Sequence, residues 1–123
     1  MSAFEDLLGK TLVSVTGAVG EDEMVFTTDD GKVFKLYHSQ DCCEHVSIDT
    51  IVGDLADLVG NPILLAEEVT SRENPEGYVK SDYQDSFTWT FYKLATIKGY
   101  VDIRWYGESN GYYSEGVDFE EVT

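Results

Sequence analysis

Apolar and polar residues alternate along most of the chain, and this period of two predicts β-strands. The Asp29-Asp30-Gly31 turn between two such runs predicts a tight hairpin, and Lys98-Gly99 predicts a second one. The stretch 71–85 is polar and contains both Pro and Gly, which indicates an exposed loop. The predicted strands are 11–19, 23–28, 32–38, 63–69, 87–97, 99–107 and 116–122.

Two segments have a different spacing and predict helices. Residues 3–9 follow Ser2, a residue type that caps helices, and they end at Gly9. In 47–60 the apolar residues recur at helical spacing, and Gly60 provides a stop. We therefore expect an α+β fold of mostly antiparallel sheet, with a short N-terminal helix and one central helix. The apolar positions of the central segment are Ile48, Ile51, Val52, Leu55, Leu58 and Val59.

The two halves of the sequence resemble each other. DLLG at 6–9, followed by a strand, matches DLVG at 57–60, followed by a strand, at an offset of 57 − 6 = 51 positions. Farther on, Ser39 matches Ser109 at an offset of 109 − 39 = 70, so an insertion must separate the two matches. The polar loop supplies that insertion, and chance similarity between strand-rich segments is the alternative explanation.

The length of 123 residues predicts a single domain spanning 1–123. Within it, the internal match predicts two pseudo-repeated α-β-β-β units at 3–52 and 54–123. The vicinal cysteines of the first unit fall on Tyr112-Tyr113 of the second, so the equivalent polar loops are 38–45 and 106–115. We expect these two loops to lie near each other or to be related by a pseudo-twofold axis.

The charge is strongly negative. The chain has 24 Asp and Glu against 8 Lys and Arg, a net charge of −16. Such a field repels phosphate groups, which disfavours direct binding to nucleic acid or to a membrane. It favours a protein partner with a basic surface, or imitation of a nucleic acid. An acidic surface that only keeps the protein in solution is the alternative.

The sequence shows no membrane span and no signal peptide, so we expect a cytoplasmic protein. It also lacks the phosphate-binding loop, the nucleophile elbow and the zinc-protease motif. Together these features predict a binding protein rather than an enzyme. The sequence leaves the oligomeric state open.

A dense polar cluster is the first candidate site. His38, Cys42, Cys43 and His45 are all metal-ligand types, and thiolate with imidazole suits zinc. The spacing departs from zinc sites, because the cysteines are adjacent and no distant pair completes four ligands. Cysteines packed as small apolar residues are the alternative to a metal site.

The second candidate site surrounds Arg104. This arginine shares a predicted strand face with Tyr106, and Asn110 and Tyr112 follow closely in the sequence. An arginine flanked by aromatic rings can stack on a planar or anionic group and donate hydrogen bonds to it. A cross-strand ion pair with a carboxylate is the alternative role.

The runs YHSQDCCEHVSIDTIVGDL at 37–55 and IRWYGESNGYYSEGVDFEEV at 103–122 resemble a family of small acidic proteins from bacteriophages, prophages and some bacteria. The resemblance implies an accessory protein acting in a bacterial host cell and implies no catalytic residue. We therefore expect a non-enzymatic protein that binds a basic host protein through its acidic surface, as a nucleic-acid mimic or an inhibitor of host defence. The alternative is a metal- or small-ligand-binding module.

Overall fold

The computed structural model describes residues 4–39, 44–71, 86–109 and 115–122, and strands dominate these segments. The strands form two four-stranded antiparallel sheets. The elements are η1 (Phe4–Leu7), β1 (Leu12–Thr16), β2 (Glu23–Thr28), β3 (Val33–Tyr37), β4 (His45–Val52), η2 (Leu55–Leu58), β5 (Leu65–Ser71), β6 (Ser86–Thr96), β7 (Gly99–Ser109) and β8 (Asp118–Glu121).

Each sheet combines three consecutive strands with a fourth strand from the other half of the chain. The first sheet has the order β1-β2-β3-β8, and the second has the order β4-β7-β6-β5. The strands β4 and β8 are thus exchanged between the halves. This exchange makes the two sheets depend on each other for completion.

The two predicted hairpins are confirmed. β2 pairs with β3 across the Asp29-Asp30-Gly31 turn, where Gly31 has a positive φ of 86°. β6 pairs with β7 without a register shift from Ser86↔Ser109 to Thr96↔Gly99. Short turns set both registers, and Gly31 supplies a positive φ in the first of them.

One core lies between the sheets, because alternate residues of each strand face inward. β7 contributes Val101, Ile103 and Trp105, and each has an exposed fraction of at most 1%. The phenyl rings of Phe34 and Phe119 stack at 5.4 Å and tie β3 to the exchanged strand β8. Full burial of one such large side chain contributes about 1.5–3 kcal/mol.

The predicted central helix and the α+β class are wrong. Residues 45–52 form β4, and only Leu55–Leu58 form a helical turn, of the 3-10 type. The N-terminal segment is likewise a 3-10 turn rather than an α-helix. No helix of the described segments exceeds four residues. In those segments, each of the two predicted units has a 3-10 turn followed by four strands instead of the expected helix and three strands.

Two physical reasons explain this correction. The strand His45–Val52 is rich in β-branched residues, which favour strands, and its alternate members Val46 and Ile48 are buried against the core. Gly53 then has a φ of 105°, which ends the strand, and Asp54 caps the 3-10 turn through its carboxylate. The apolar residues of 47–60 have a helical spacing only because the end of β4 is followed directly by the 3-10 turn η2.

The junctions before β1 and β5 contact each other reciprocally. The amide of Gly9 donates to the carbonyl of Ile63, and the amide of Gly60 donates to the carbonyl of Leu12, both at 2.9 Å. Gly9 and Gly60 both have a positive φ, at 79° and 89°. These contacts join positions that the internal match makes equivalent.

Candidate functional site

Carboxylates cover much of the first sheet, its turns and η1. They stand at the ends of the strands and on the outer side of β8, where water solvates them. The exposed acidic residues of this region are Glu5, Asp6, Glu21, Asp22, Glu23, Asp29, Asp30, Asp118, Glu120 and Glu121. We call these residues the acidic surface.

Few cations oppose the acidic surface. The Lys35 Nζ atom lies 3.2 Å from Glu23, and the Lys32 Nζ atom lies 3.9 Å from Glu121. The hydroxyl of Thr28, with Lys10 and Lys32 nearby, lowers the pKa of Asp30. The Asp30 carboxylate therefore keeps its charge at neutral pH.

The face of the second sheet opposite the core holds Trp89, Phe91, Arg104 and Tyr106; Trp89 is fully buried there, and the other three are half-buried. We call these four residues the Arg104 platform. Trp89 pairs with Tyr106 and Phe91 pairs with Arg104 on adjacent strands, which places all four on the face opposite the core. The guanidinium carbon of Arg104 lies 4.8 Å from the centroid of the Trp89 ring, and the rings of Trp89 and Tyr106 are 4.5 Å apart.

Arg104 is also tied to β4. Its Nε and Nη2 atoms donate to the same Asp49 oxygen at 2.9 and 2.6 Å, and Nη2 donates to the Thr50 hydroxyl at 3.1 Å. The cross-strand carboxylate considered for Arg104 is therefore present. These bonds and the Trp89 ring hold the guanidinium in one orientation.

A groove of about 190 Å³ lies beside the Arg104 platform. Phe91 and Val52 give it apolar walls, and Lys93 and Asp102 add charges of both signs. The groove is smaller than most drug-sized ligand pockets. It has room for a single side chain or a small planar group.

The other predicted ligand contacts have separate outcomes. Tyr106 stands on the platform, and its hydroxyl donates to the Glu108 carboxylate at 3.1 Å. Asn110 and Tyr112 lie outside the described residues. Their role as ligand contacts stays a prediction.

His38 is buried at the root of the first polar loop. Its Nδ1 atom lies 2.8 Å from the carbonyl oxygen of Gly116, and its Nε2 atom lies 3.2 Å from Glu44. A carbonyl only accepts, so Nδ1 carries a proton. His38 thus connects the end of β3 to the chain just before β8, and the two predicted equivalent loops have adjacent roots.

The predicted metal ligands do not all share one environment. His38 is buried and has protein partners at both ring nitrogens, whereas His45 is exposed on β4. Cys42 and Cys43 lie outside the described residues. Within the segments that the structure describes, no group of three metal-ligand side chains is close enough to hold an ion. A metal at His38 Nε2 would have to share or replace the Glu44 contact.

Glu115 is a second buried carboxylate that the sequence reading missed. Thr88 and Ser109 donate hydroxyl hydrogen bonds to its two oxygens at 3.0 and 2.5 Å. Glu115 lies six residues after Ser109, as Glu44 lies six residues after His38. This six-residue spacing could have identified Glu115 in the sequence. Many exposed carboxylates surround it, so the spacing was not distinctive.

Tyr92 is the other residue that sequence reasoning did not single out. It is fully buried on β6, and its hydroxyl has no hydrogen-bond partner of good geometry among the described residues. Burial raises the pKa of Tyr92, and the neighbouring Glu68 carboxylate raises it further through its charge and through a hydrogen bond of poor geometry with the hydroxyl. Glu68 is the cross-strand neighbour of Tyr92 on β5.

The fold and these surfaces define a small, mostly-β protein with two exchanged sheets, an acidic surface and an aromatic face around one arginine. The chain belongs to the family described as Domain of unknown function (DUF7448), whose model matches residues 5–119. No curated protein and no solved structure matches the chain. No helix in the described segments is long and apolar enough to cross a membrane.

Proposed function

We propose that this protein binds a protein partner with a basic surface and catalyses no reaction. The observation that carries the proposal is the excess of exposed carboxylates over cations, and it is strongest on the acidic surface. Three of the described basic side chains, Lys32, Lys35 and Arg104, are already paired with carboxylates. Long-range attraction of this kind speeds the capture of a basic partner.

The finer proposal places the protein in the cytoplasm of a bacterial host as an accessory protein of phage type. The two sequence runs that resemble phage and prophage proteins support this context. A carboxylate-rich surface on a four-stranded sheet suits a mimic of nucleic acid that occupies the basic groove of a host or defence protein.

Pull-down from a nuclease-treated bacterial lysate tests the proposal. The immobilised full-length protein should retain a discrete basic protein, which a NaCl gradient should release because salt screens the attraction. Nuclease treatment removes partners that nucleic acid would bridge. Retention of nothing, or of a partner that stays bound through the whole gradient, would contradict the proposal.

A second candidate function uses the Arg104 platform as a contact for a small planar or anionic group. The fixed guanidinium and the adjoining groove favour it. Thermal-shift measurements with nucleotides should show stabilisation that Arg104→Gln abolishes and Lys93→Gln reduces less. Equal responses in the two variants would remove the platform as a ligand site.

The metal-binding version of this module stays a separate proposal. It requires Cys42 and Cys43 to join His38 or His45 around a zinc ion. Elemental analysis of the purified untagged protein tests this proposal. Less than about one tenth of a zinc per chain would rule out a closed structural site. A full equivalent of zinc would favour the metal site instead.

A further inference from the structure

The face of the second sheet opposite the core has three rows of side chains that run across the strands. Directly paired residues of an antiparallel sheet share a face, so the register defines each row. The middle row consists of Glu67, Lys93, Asp102 and Val52. The rows on either side consist of Val69, Phe91, Arg104 and Thr50, and of Leu65, Ala95 and Tyr100. We call these three rows the second-sheet face.

Apolar side chains on the second-sheet face are exposed. Val52, Val69 and Tyr100 have exposed fractions of 60%, 49% and 73%. The 3-10 turns η1 and η2 do not cover them, because both turns bury their apolar residues in the core, on the other side of the sheet. Trp89, farther along the same face, is already buried, which limits the exposed surface to the three rows. Apolar groups exposed together on one face are typical of a contact surface.

The charges of the second-sheet face are balanced, unlike those of the whole chain. The three rows hold two cations and two carboxylates, namely Lys93, Arg104, Glu67 and Asp102. Asp49, in the adjacent bulge of β4, is bonded to Arg104. With a net charge of −16, two copies of the chain repel each other strongly wherever their acidic surfaces approach. The second-sheet face lets two copies meet at a lower electrostatic cost.

The middle row has charges of alternating sign. Lys93 lies between Glu67 on β5 and Asp102 on β7, which are its direct cross-strand neighbours. Even so, the ion pairs of the described segments do not include Lys93. Its ammonium group is exposed and can pair with a carboxylate of another molecule.

The second-sheet face is complementary to itself. A twofold axis parallel to the strands, between β6 and β7, exchanges these two strands and keeps each row opposite the same row. Lys93 of each copy then faces Asp102 of the other, and Phe91 faces Arg104, an arrangement suited to a cation–π contact. Tyr100 faces the small alanine of β6 in its row. The groove of about 190 Å³ between two of the rows leaves room for side chains of the facing copy.

We propose that two copies of this protein form a symmetric dimer in which their second sheets pack face to face through the second-sheet face. Such isologous twofold contacts are the commonest in protein assemblies, and packed sheets lie about 10 Å apart. This inference goes beyond the proposed function. The dimer leaves the acidic surface of both copies exposed, so it can bind two basic sites.

The size of the face predicts a weak dimer. Three rows across four strands span about 17 Å along the strands and about 19 Å across them. This is a small contact compared with those of stable complexes, so we expect a dissociation constant above about 10 μM.

Sedimentation equilibrium of the full-length untagged protein from about 10 μM to 1 mM tests the proposal. About 0.3 M NaCl screens the repulsion between the two net charges. The average mass should rise with concentration from that of one chain toward that of two. Amide chemical shifts that change over the same series should belong to the second sheet and not to the first.

Exchange of two charges identifies the contact. Lys93→Asp and Asp102→Lys should each weaken the dimer at least about tenfold, because each sets like charges against each other twice across the axis. The double variant should restore the affinity to within about threefold of the natural protein. The single variants shift the net charge in opposite directions, so repulsion between net charges alone would weaken one dimer and strengthen the other.

Asp22→Lys is the matched control. It makes the same change as Asp102→Lys at an exposed carboxylate of the acidic surface, and it should not weaken the dimer. All three substituted positions are exposed, so the variants should fold, and circular dichroism checks this.

The remaining outcomes would overturn the inference. A protein that stays monomeric up to 1 mM would do so and would leave the proposed function standing. A dimer that tolerates both single variants, or that the double variant fails to restore, would assign the contact to another surface. Shift changes confined to the first sheet would have the same meaning.

Discussion

Single residues in this protein have roles that their neighbours in the folded chain decide. Arg104 is one of few cations in an acidic chain, which made it a candidate ligand contact, yet Asp49 and Trp89 already fix its guanidinium. Tyr92 gave no signal in the sequence, and burial beside Glu68 makes it unusual. The residues that matter were therefore visible only in part before the fold was known.

Tyr92→Phe should leave stability at pH 7 unchanged within about 1 kcal/mol or raise it, because the lost hydroxyl has no hydrogen-bond partner of good geometry among the described residues. Urea unfolding monitored by tryptophan fluorescence measures this change. A loss above about 2 kcal/mol would show that the hydroxyl is hydrogen-bonded in solution.

The same variant should change how stability depends on pH in the alkaline range. The raised pKa of Tyr92 means that the folded protein keeps this proton when the unfolded chain loses it near pH 10. Stability from this group is therefore complete below about pH 10 and is lost as pH rises above it. Between pH 9 and pH 11, the free energy of unfolding should fall less for Tyr92→Phe than for the natural protein. Equal losses would contradict the assignment.

Gly53→Ala should be among the most destabilising small substitutions in the chain. An alanine Cβ would lie 2.3 Å from the Tyr100 carbonyl oxygen, and the φ of 105° already disfavours any side chain. Gly31→Ala is the matched control, since its φ is 86° but its Cβ would meet nothing within 4 Å. We expect a loss of about 1 kcal/mol for Gly31→Ala and about 3 kcal/mol or more for Gly53→Ala. Similar losses would contradict the close contact.

At the scale of elements, the hairpins were predictable and the helices were not. The alternation in 23–28, 32–38 and 87–107 is local, and short turns fix the register. The strand β4 has eight residues, and within the described segments its one partner strand is β7, which lies far away in sequence. Its identity as a strand depends on that distant partner, so the 3.6 spacing of 47–60 misled the prediction.

Substitution of Arg104 measures how much its ion pair with Asp49, which joins β7 to β4, contributes to stability. Arg104→Gln should cost about 1 kcal/mol of stability, as expected for a half-exposed, charge-assisted hydrogen bond. Lys93→Gln on the adjacent strand is the control and should cost less. A double-mutant cycle of Arg104→Gln with Asp49→Asn should give a coupling energy above zero. Additive losses would show that the pair contributes nothing.

At the scale of the whole molecule, the exchange of β4 and β8 is the feature that the sequence could not predict. Strand order within a sheet depends on contacts between the halves, and no local pattern encodes it. The order of elements repeats after Gly53, and the junctions at Gly9 and Gly60 exchange equivalent hydrogen bonds. These features are what a duplication would produce, and the duplication of 3–52 and 54–123 stays a prediction.

The net charge should make stability depend on salt. Carboxylates repel one another more strongly in the folded chain than in the expanded unfolded chain. Raising NaCl from about 0.02 to 0.3 M should therefore raise the free energy of unfolding, because the Debye length falls. Chloride is preferred to sulfate, which stabilises proteins by exclusion. A stability that falls as NaCl rises would contradict a surface dominated by repulsion.

The most direct test of the central claim is the affinity of the full-length protein for its purified captured partner, measured by calorimetry over a series of NaCl concentrations. If the acidic surface drives recognition, the logarithm of the dissociation constant should rise steadily with the logarithm of the salt concentration, and the partner's contact surface should be basic. An affinity that stays constant across the series would contradict recognition through the acidic surface.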